Sequence, residues 1–391
     1  MTTIEGICES VAVVPLSKRY FAELDIDATW VHNRAVPVGL FPSQLITDST
    51  DEKEVPFPLL TFYPWLRSGF RIVQDTSERR FEVYKGLGLL LPKAYELHQP
   101  AFQRVFRYQL LPNEQKSDSH YKILNFNDES RIAGCAYLSL LKRDIRGYQW
   151  LEACPHIRVP KIMGAFSFSK EYCSQYAVPE GSCGQIIRRF LNPFRIMDLQ
   201  FLKRMALKSL PSERSFWQGK AEAILSISMQ LTAGSSCDYL ACVGNALGRT
   251  AGALTSLRIL HGSLTDHCQN VTLAGELTEF DFAVRQYQGD PPPKPYFDSR
   301  LYTQILLLAN HLRHLVDCIR WIGVDCRYSD CVEPFMCAVA ESVDSSQYEA
   351  FLYHLNHDPY CLDLSRSVCN RYFEKNLCNC DDFLSIVRQT A

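Results

Sequence analysis

The sequence changes character at Asn192-Pro193, and that break limits the folds open to the chain. Before it, Gly69-Phe-Arg-Ile-Val-Gln-Asp75 and Arg80-Phe-Glu-Val-Tyr-Lys85 read as two strands joined by the turn-like Thr76-Ser77-Glu78-Arg79, a hairpin. Lys161–Phe168 and Gly184–Phe190 read as two further strands. Between the hairpin and those strands the pattern turns helical from about Ser130, with Ile132, Ala136, Leu140 and Leu141 near helical spacing. A second helical stretch covers Ile145–Ala153. After the break, Met197–Leu210, Gly219–Thr232, Cys237–Leu260 and Leu301–Ile319 all read as helices. The last carries Ile305, Leu308, Leu312 and Leu315 on one stripe. The order predicts an α+β, bilobal plan with a β-rich N-lobe and a mostly helical C-lobe. The boundaries are 1–60 for an N-terminal extension, 61–191 for the first lobe with its helical insertion, and 192–391 for the second.

The 391 residues carry 41 basic and 43 acidic side chains, a net charge of −2. A broad nucleic-acid footprint needs a basic excess, so no such partner is expected. No run of about 18 apolar residues occurs, so no membrane span is expected. The first residues carry acids and no basic segment, which makes a poor signal peptide. The 16 cysteines are scattered from Cys8 to Cys380 with no C-x-x-C pair, so they read as reduced, buried thiols of a cytoplasmic protein. The C-terminal group of Cys326, Cys331, Cys337, Cys361, Cys369, Cys378 and Cys380 leaves a zinc-containing interaction protein as an outside reading. Gly244, Gly248 and Gly252 recur every four residues in one helix candidate, spacing that admits close packing against a neighbour.

Within the helical part lies His261-Gly-Ser-Leu-Thr-Asp-His-Cys-Gln-Asn270-Val271, followed by Asp281-Phe-Ala283. It reads as turn, short strand, tight turn and second strand ending in an acid. Asn270 and Asp281 then stand at neighbouring strand ends, two hard oxygen ligands of the kind Mg²⁺ takes against nucleotide phosphates. Glu279, two residues earlier, competes with Asp281. Lys85 ends a strand and precedes Gly86-Leu-Gly88, where an ammonium can meet phosphates or simply face water.

These segments resemble the protein-kinase-like superfamily, and within it the selenoprotein-O-like pseudokinases. Those carry a His-Gly-x-Met-Asn-Thr-Asp-Asn loop, a Lys-Gly-x-Gly strand end and an Arg six residues before a helix Glu. The corresponding stretches here are His261-Gly-Ser-Leu264, Lys85-Gly-Leu-Gly88, and Arg146 before Glu152. The resemblance runs from Arg80 to roughly Ala283. It implies a nucleotide between two lobes, ATP and Mg²⁺ as cofactors, and AMP transfer to a hydroxyl of a protein or peptide. It implies that Lys85 and Arg146 hold phosphates, that Glu152 orients Lys85, and that Asn270 and Asp281 hold the metal. The loop from His261 to Asn270 is two residues longer than the family pattern, and Ser263 stands where a kinase has its catalytic Asp. Serine has no useful basicity at neutral pH. Three readings follow: nucleotide binding without turnover, a substitute carboxylate at Asp266, or nucleotidyl transfer that needs less of a base. His267 is a second candidate base. The rival class is a catalytically silent pseudokinase that scaffolds partners, for instance in a peptide-maturation complex.

Overall fold

The computed structural model describes residues 4–16, 18–24, 37–40, 57–62, 68–75, 78–86, 111–112, 124–125, 136–152, 154, 157–171, 181, 183–232, 236–264, 268, 270–287 and 297–357. The chain divides into two compact units. One comprises Met1–Lys142, Lys161–Pro193 and Phe201–Ile224; the other comprises Arg143–Pro160, Phe194–Gln200 and Leu225–Ala391. The fold class is α+β, as the sequence order predicts.

The first unit is built on strands. In chain order they are β1 (Glu9–Pro15), β2 (Phe21–Glu23), β3 (Val38–Leu40), β4 (Phe57–Thr61), β5 (Ser68–Asp75), β6 (Glu78–Lys85), β7 (Leu111–Pro112), β8 (Leu124–Asn125), β9 (Ala136–Tyr137), β10 (Lys161–Phe168) and β11 (Cys183–Phe190). A one-turn helix α1 (Ile4–Ile7) precedes β1. One antiparallel sheet runs β2-β10-β11-β6-β5-β4-β1-β3, with β9 alongside β11. The hairpin read from sequence is β5–β6, in register from Ser68↔Lys85 to Asp75↔Glu78. Ala136 and Tyr137, read as helical, instead pair with Gly184 and Cys183. Edge pairing there outweighs a helical pattern that only becomes strong from Leu138.

Val13, Val38, Leu59, Tyr84, Met163, Phe166 and Ile187 form a buried cluster on this sheet. Aromatic and β-branched side chains suit a pleated surface, which is why these runs form strands. Two polar residues are buried with them and fully engaged. Gln185 accepts from the Val38 N–H and donates to the Val38 carbonyl, each at 3.0 Å, so its amide replaces a strand neighbour. Glu82, only 3% exposed, sits between Arg71 at 2.6 Å and Arg189 at 2.7 Å on the two flanking strands. Removing one side of such a cluster leaves buried charge without its partner. Glu82→Gln is therefore expected to lower unfolding free energy by about 3 kcal/mol in urea titration, while a change under about 1 kcal/mol would mean the pairing is a weak surface one.

Helices dominate the second unit. Helix α2 (Leu138–Glu152), α3 (Ile196–Lys208) and α4 (Pro211–Thr232) each contribute residues to both units. Then come α5 (Ser236–Ser256), β12 (Ile259–Leu260), β13 (Val284–Arg285), α6 (Phe297–Ile322), α7 (Ser329–Ser342) and α8 (Ser345–His357). In α6, Ile305, Leu308, Leu312 and Leu315 are all buried, as their spacing predicts. Helices α5 and α7 meet along the glycine row. A Cβ at Gly244 would fall on the Cys331 carbonyl, one at Gly248 on the Phe335 carbonyl, and one at Gly252 on the Ser342 side chain. Cys331 is fully buried and its thiol donates to the Tyr328 carbonyl at 3.2 Å; burial raises its pKa well above the ordinary thiol value. Cys361, Cys369, Cys378 and Cys380 lie outside the described residues, as does the proline-rich 289–295 segment. Among the described residues, no helix is long and apolar enough to cross a membrane.

Candidate functional site

The stretch from Ile259 to Arg285 closes on itself. Strand β12 pairs antiparallel with β13, so the chain leaves and returns at one place. Between them, the Thr272 N–H donates to the Glu276 carbonyl at 2.9 Å, and Gly275 turns the chain at φ 76°. The sequence reading expects strands on both sides of this turn. The structure has instead single bridges, Val271 with Leu277 and Arg195 with Thr272. The Thr278 N–H donates to the Asn270 carbonyl at 2.9 Å, which sets Asn270 opposite the run into Asp281.

His261 anchors the site. It is 1% exposed, its backbone N–H donates to Gln304 Oε1, and Gln304 Nε2 donates to the Ile259 carbonyl. Its Nδ1 accepts from the Ser263 N–H at 3.3 Å, so Nε2 carries the proton and donates to the Thr278 carbonyl at 2.9 Å. Its ring centroid lies 4.5 Å from that of Phe280. The ring is a tie between the two halves of the stretch rather than a base. Burial pushes its pKa down to about 4. Gly262 between His261 and Ser263 takes φ 77°, and a Cβ there would meet the Phe282 carbonyl. A side chain at that position is excluded both by conformation and by space.

The lowered pKa has a consequence for stability. The unfolded imidazole binds a proton below about 6.5, whereas the folded one stays neutral down to about 4. The unfolded state therefore gains protons first as pH falls, and stability drops between those two values. The loss is expected to be on the order of 3 kcal/mol over that window and absent above pH 7. Urea titrations from pH 4 to pH 8 on wild type and His261→Gln check this, since the variant loses that part of the slope.

From His261 the polar chain continues outward. Ser263 Oγ donates to Asp281 Oδ1 at 3.2 Å. Asn270 Nδ2 donates to the Ser263 carbonyl at 2.8 Å. That bond fixes the amide orientation. Asn270 Oδ1 is left buried and accepts no hydrogen bond, in a residue 1% exposed. A buried carbonyl-type oxygen in that condition is costly. An amide oxygen and a carboxylate, as at Asn270 Oδ1 and Asp281, are the hard donor types that Mg²⁺ takes. Among the described residues, no three His, Cys, Asp or Glu side chains converge to hold a metal. A metal at this point would complete its shell from water and phosphate oxygens.

Glu279 is otherwise occupied. It takes φ 64°, its carboxylate pairs with Arg195 at 2.9 Å, and its N–H donates to the Tyr148 hydroxyl at 3.2 Å. Arg195 is in turn positioned by Asp198, which accepts its backbone N–H at 2.7 Å at the start of α3. The Phe280 N–H donates to Asp144 Oδ1 at 2.7 Å, and the Tyr148 ring stands edge-on to Phe280 at 5.0 Å. Asp144, Tyr148 and Gln304 thus hold the site, and the sequence reading gives none of them a part in it: it allows Asp144 only a surface pairing with Arg146, whereas the residue is fully buried. For Asp144 a signal exists: it is an acid on the stripe of Leu141, Ile145, Tyr148 and Leu151, all buried.

The remaining candidates are placed as follows. Arg146 and Glu152 are exposed on α2, with Glu152 its last residue. Lys85 is half-buried at the end of β6 in the first unit, opposite Ser68 and Ile186. Arg188 is fully buried, with its guanidinium 5.3 Å from the Phe190 ring centroid. Asp266 and His267 lie outside the described residues. No protein-family model matches the chain, and no curated protein matches it.

Proposed function

We propose that this chain is an ATP- and Mg²⁺-dependent transferase of protein-kinase-like fold. It moves AMP, or in the closest variant phosphate, to a hydroxyl of a protein or peptide. The observation that carries the reading is the linked set Asn270–Ser263–Asp281, with Asn270 Oδ1 buried and accepting nothing.

In this reading Asn270 and Asp281 would hold Mg²⁺. The ion, when bound, offsets phosphate charge as it develops. His261 keeps the Asn270 loop and the Asp281 segment at fixed separation through Thr278 and Ser263. Lys85 and Arg146 are the cations assigned to phosphates, on the resemblance alone. The acceptor oxygen bonds to the α phosphorus while the bond from that phosphorus to its bridging oxygen breaks, releasing pyrophosphate. The hydroxyl proton passes to Asp266 or to water. Ser263 does not take it, because its hydroxyl is not basic near neutrality.

One observation favours the silent pseudokinase instead. Ser263 Oγ already donates to Asp281, so a neutral hydroxyl both replaces the catalytic acid and engages the metal-binding one. ATP labelled separately at the α and γ phosphorus distinguishes these. Label from α on protein supports AMP transfer; label from γ alone supports a kinase with a substitute base. ATP binding with neither label, across a panel of candidate acceptors and whether or not the binding needs Mg²⁺, favours the scaffold.

A further inference from the structure

The second unit carries a groove that the residues above do not use. It has a volume of about 390 Å³ and is lined by Arg158, Cys242, Asn245, Arg249 and Pro334, among others. That volume lies within the roughly 300–1,000 Å³ of small-molecule sites. Cys242, Asn245 and Arg249 stand on one face of α5 at spacings of three and four residues, and Pro334 faces them from α7. Arg158 is tied by one N–H to the Ala274 carbonyl at 3.1 Å and has no carboxylate partner among the described residues. Arg249 is steadied by Asn245 Oδ1 at 2.9 Å. Its contact with Glu341 is loose, 3.5 Å to a carboxylate side chain that is 63% exposed. Among the described residues, the groove lining therefore holds two guanidinium groups and no acid, with Ala241, Ala246 and Pro334 supplying apolar wall.

We infer that this groove binds a small organic anion, a phosphate or carboxylate with a short apolar body. Guanidinium forks match the paired oxygens of either group, and Arg158, with the loosely paired Arg249, offers such forks to a ligand seated between them. The half-buried Cys242 thiol lies within the lining and reports on occupancy.

The test uses the full chain and follows iodoacetamide labelling of the Cys242 peptide by mass spectrometry, with millimolar phenyl phosphate or phenylacetate as probe. The exposed Cys337, outside the lining, is the internal control. Labelling of Cys242 is expected to slow at least about fivefold with one probe, while Cys337 is unchanged. Protection by phenyl phosphate alone assigns a phosphate ligand, and protection by phenylacetate alone a carboxylate. Arg158→Gln and Arg249→Gln should each remove the protection, and Arg249→Lys should retain part of it, with melting temperature confirming that each variant folds. No protection by either probe overturns the inference. Protection that survives in both Gln variants overturns it equally.

Discussion

Gly248→Leu is expected to unfold the second unit or lower its stability by more than about 4 kcal/mol, because overpacking against backbone leaves no soft neighbour to move. At this position a Cβ already meets the Phe335 carbonyl and the Ala338 Cβ. Helix α5 would have to move away from α7, and with it the seating of Gly244 and Gly252 on the same partner. Gly219 provides the contrast. It is exposed in α4 and a Cβ there meets nothing within 4 Å. Gly219→Ala should raise stability by about 1 kcal/mol through helix propensity and the loss of unfolded-state freedom. The two variants, followed by thermal melting and urea titration, should move in opposite directions. Tolerance of Leu at 248 would mean that the two helices are not held at glycine contact distance.

Under the proposed transferase reading, Asp281→Ala reduces nucleotide transfer at least on the order of 10³-fold, since several kcal/mol of charge stabilisation would depend on a cation held there. Glu279→Gln is the discriminating partner. Its carboxylate is committed to Arg195, so this variant should lose a little stability and keep transfer within about threefold. If Glu279 were the metal ligand, the ranking would reverse. Quantified labelling rates on both purified variants, beside their melting temperatures, separate the two acids.

The long helices and the β5–β6 hairpin were legible because each is specified within one short window. The stripe of Ile305, Leu308, Leu312 and Leu315 fixes the buried face of α6 without any knowledge of its partner. The glycine row announced a close helix contact, though not which helix would fill it. Contacts between distant segments were not legible. Glu82 meets Arg189 across 107 positions, and Gln185 meets Val38 across 147. Local periodicity carries no information about such pairs.

The candidate site divides along the same line. His261, Ser263, Asn270 and Asp281 lie close in sequence, and the turn between them could be read from residue order. Their supports could not. Asp144 reaches Phe280 across 136 positions, and Gln304 reaches His261 across 43. Glu279 and Asp281, equivalent in residue order, also differ only in three dimensions. A left-handed backbone at Glu279 and the approach of Arg195 direct its carboxylate into an ion pair, whereas Asp281 meets Ser263.

The most direct measurement is calorimetric titration of ATP into the full chain, with and without Mg²⁺, for wild type and Asp281→Ala. The account predicts that Mg²⁺ tightens ATP binding at least about tenfold in wild type and has little effect in the variant. Absence of ATP binding in wild type, or the same Mg²⁺ dependence in both proteins, would contradict it.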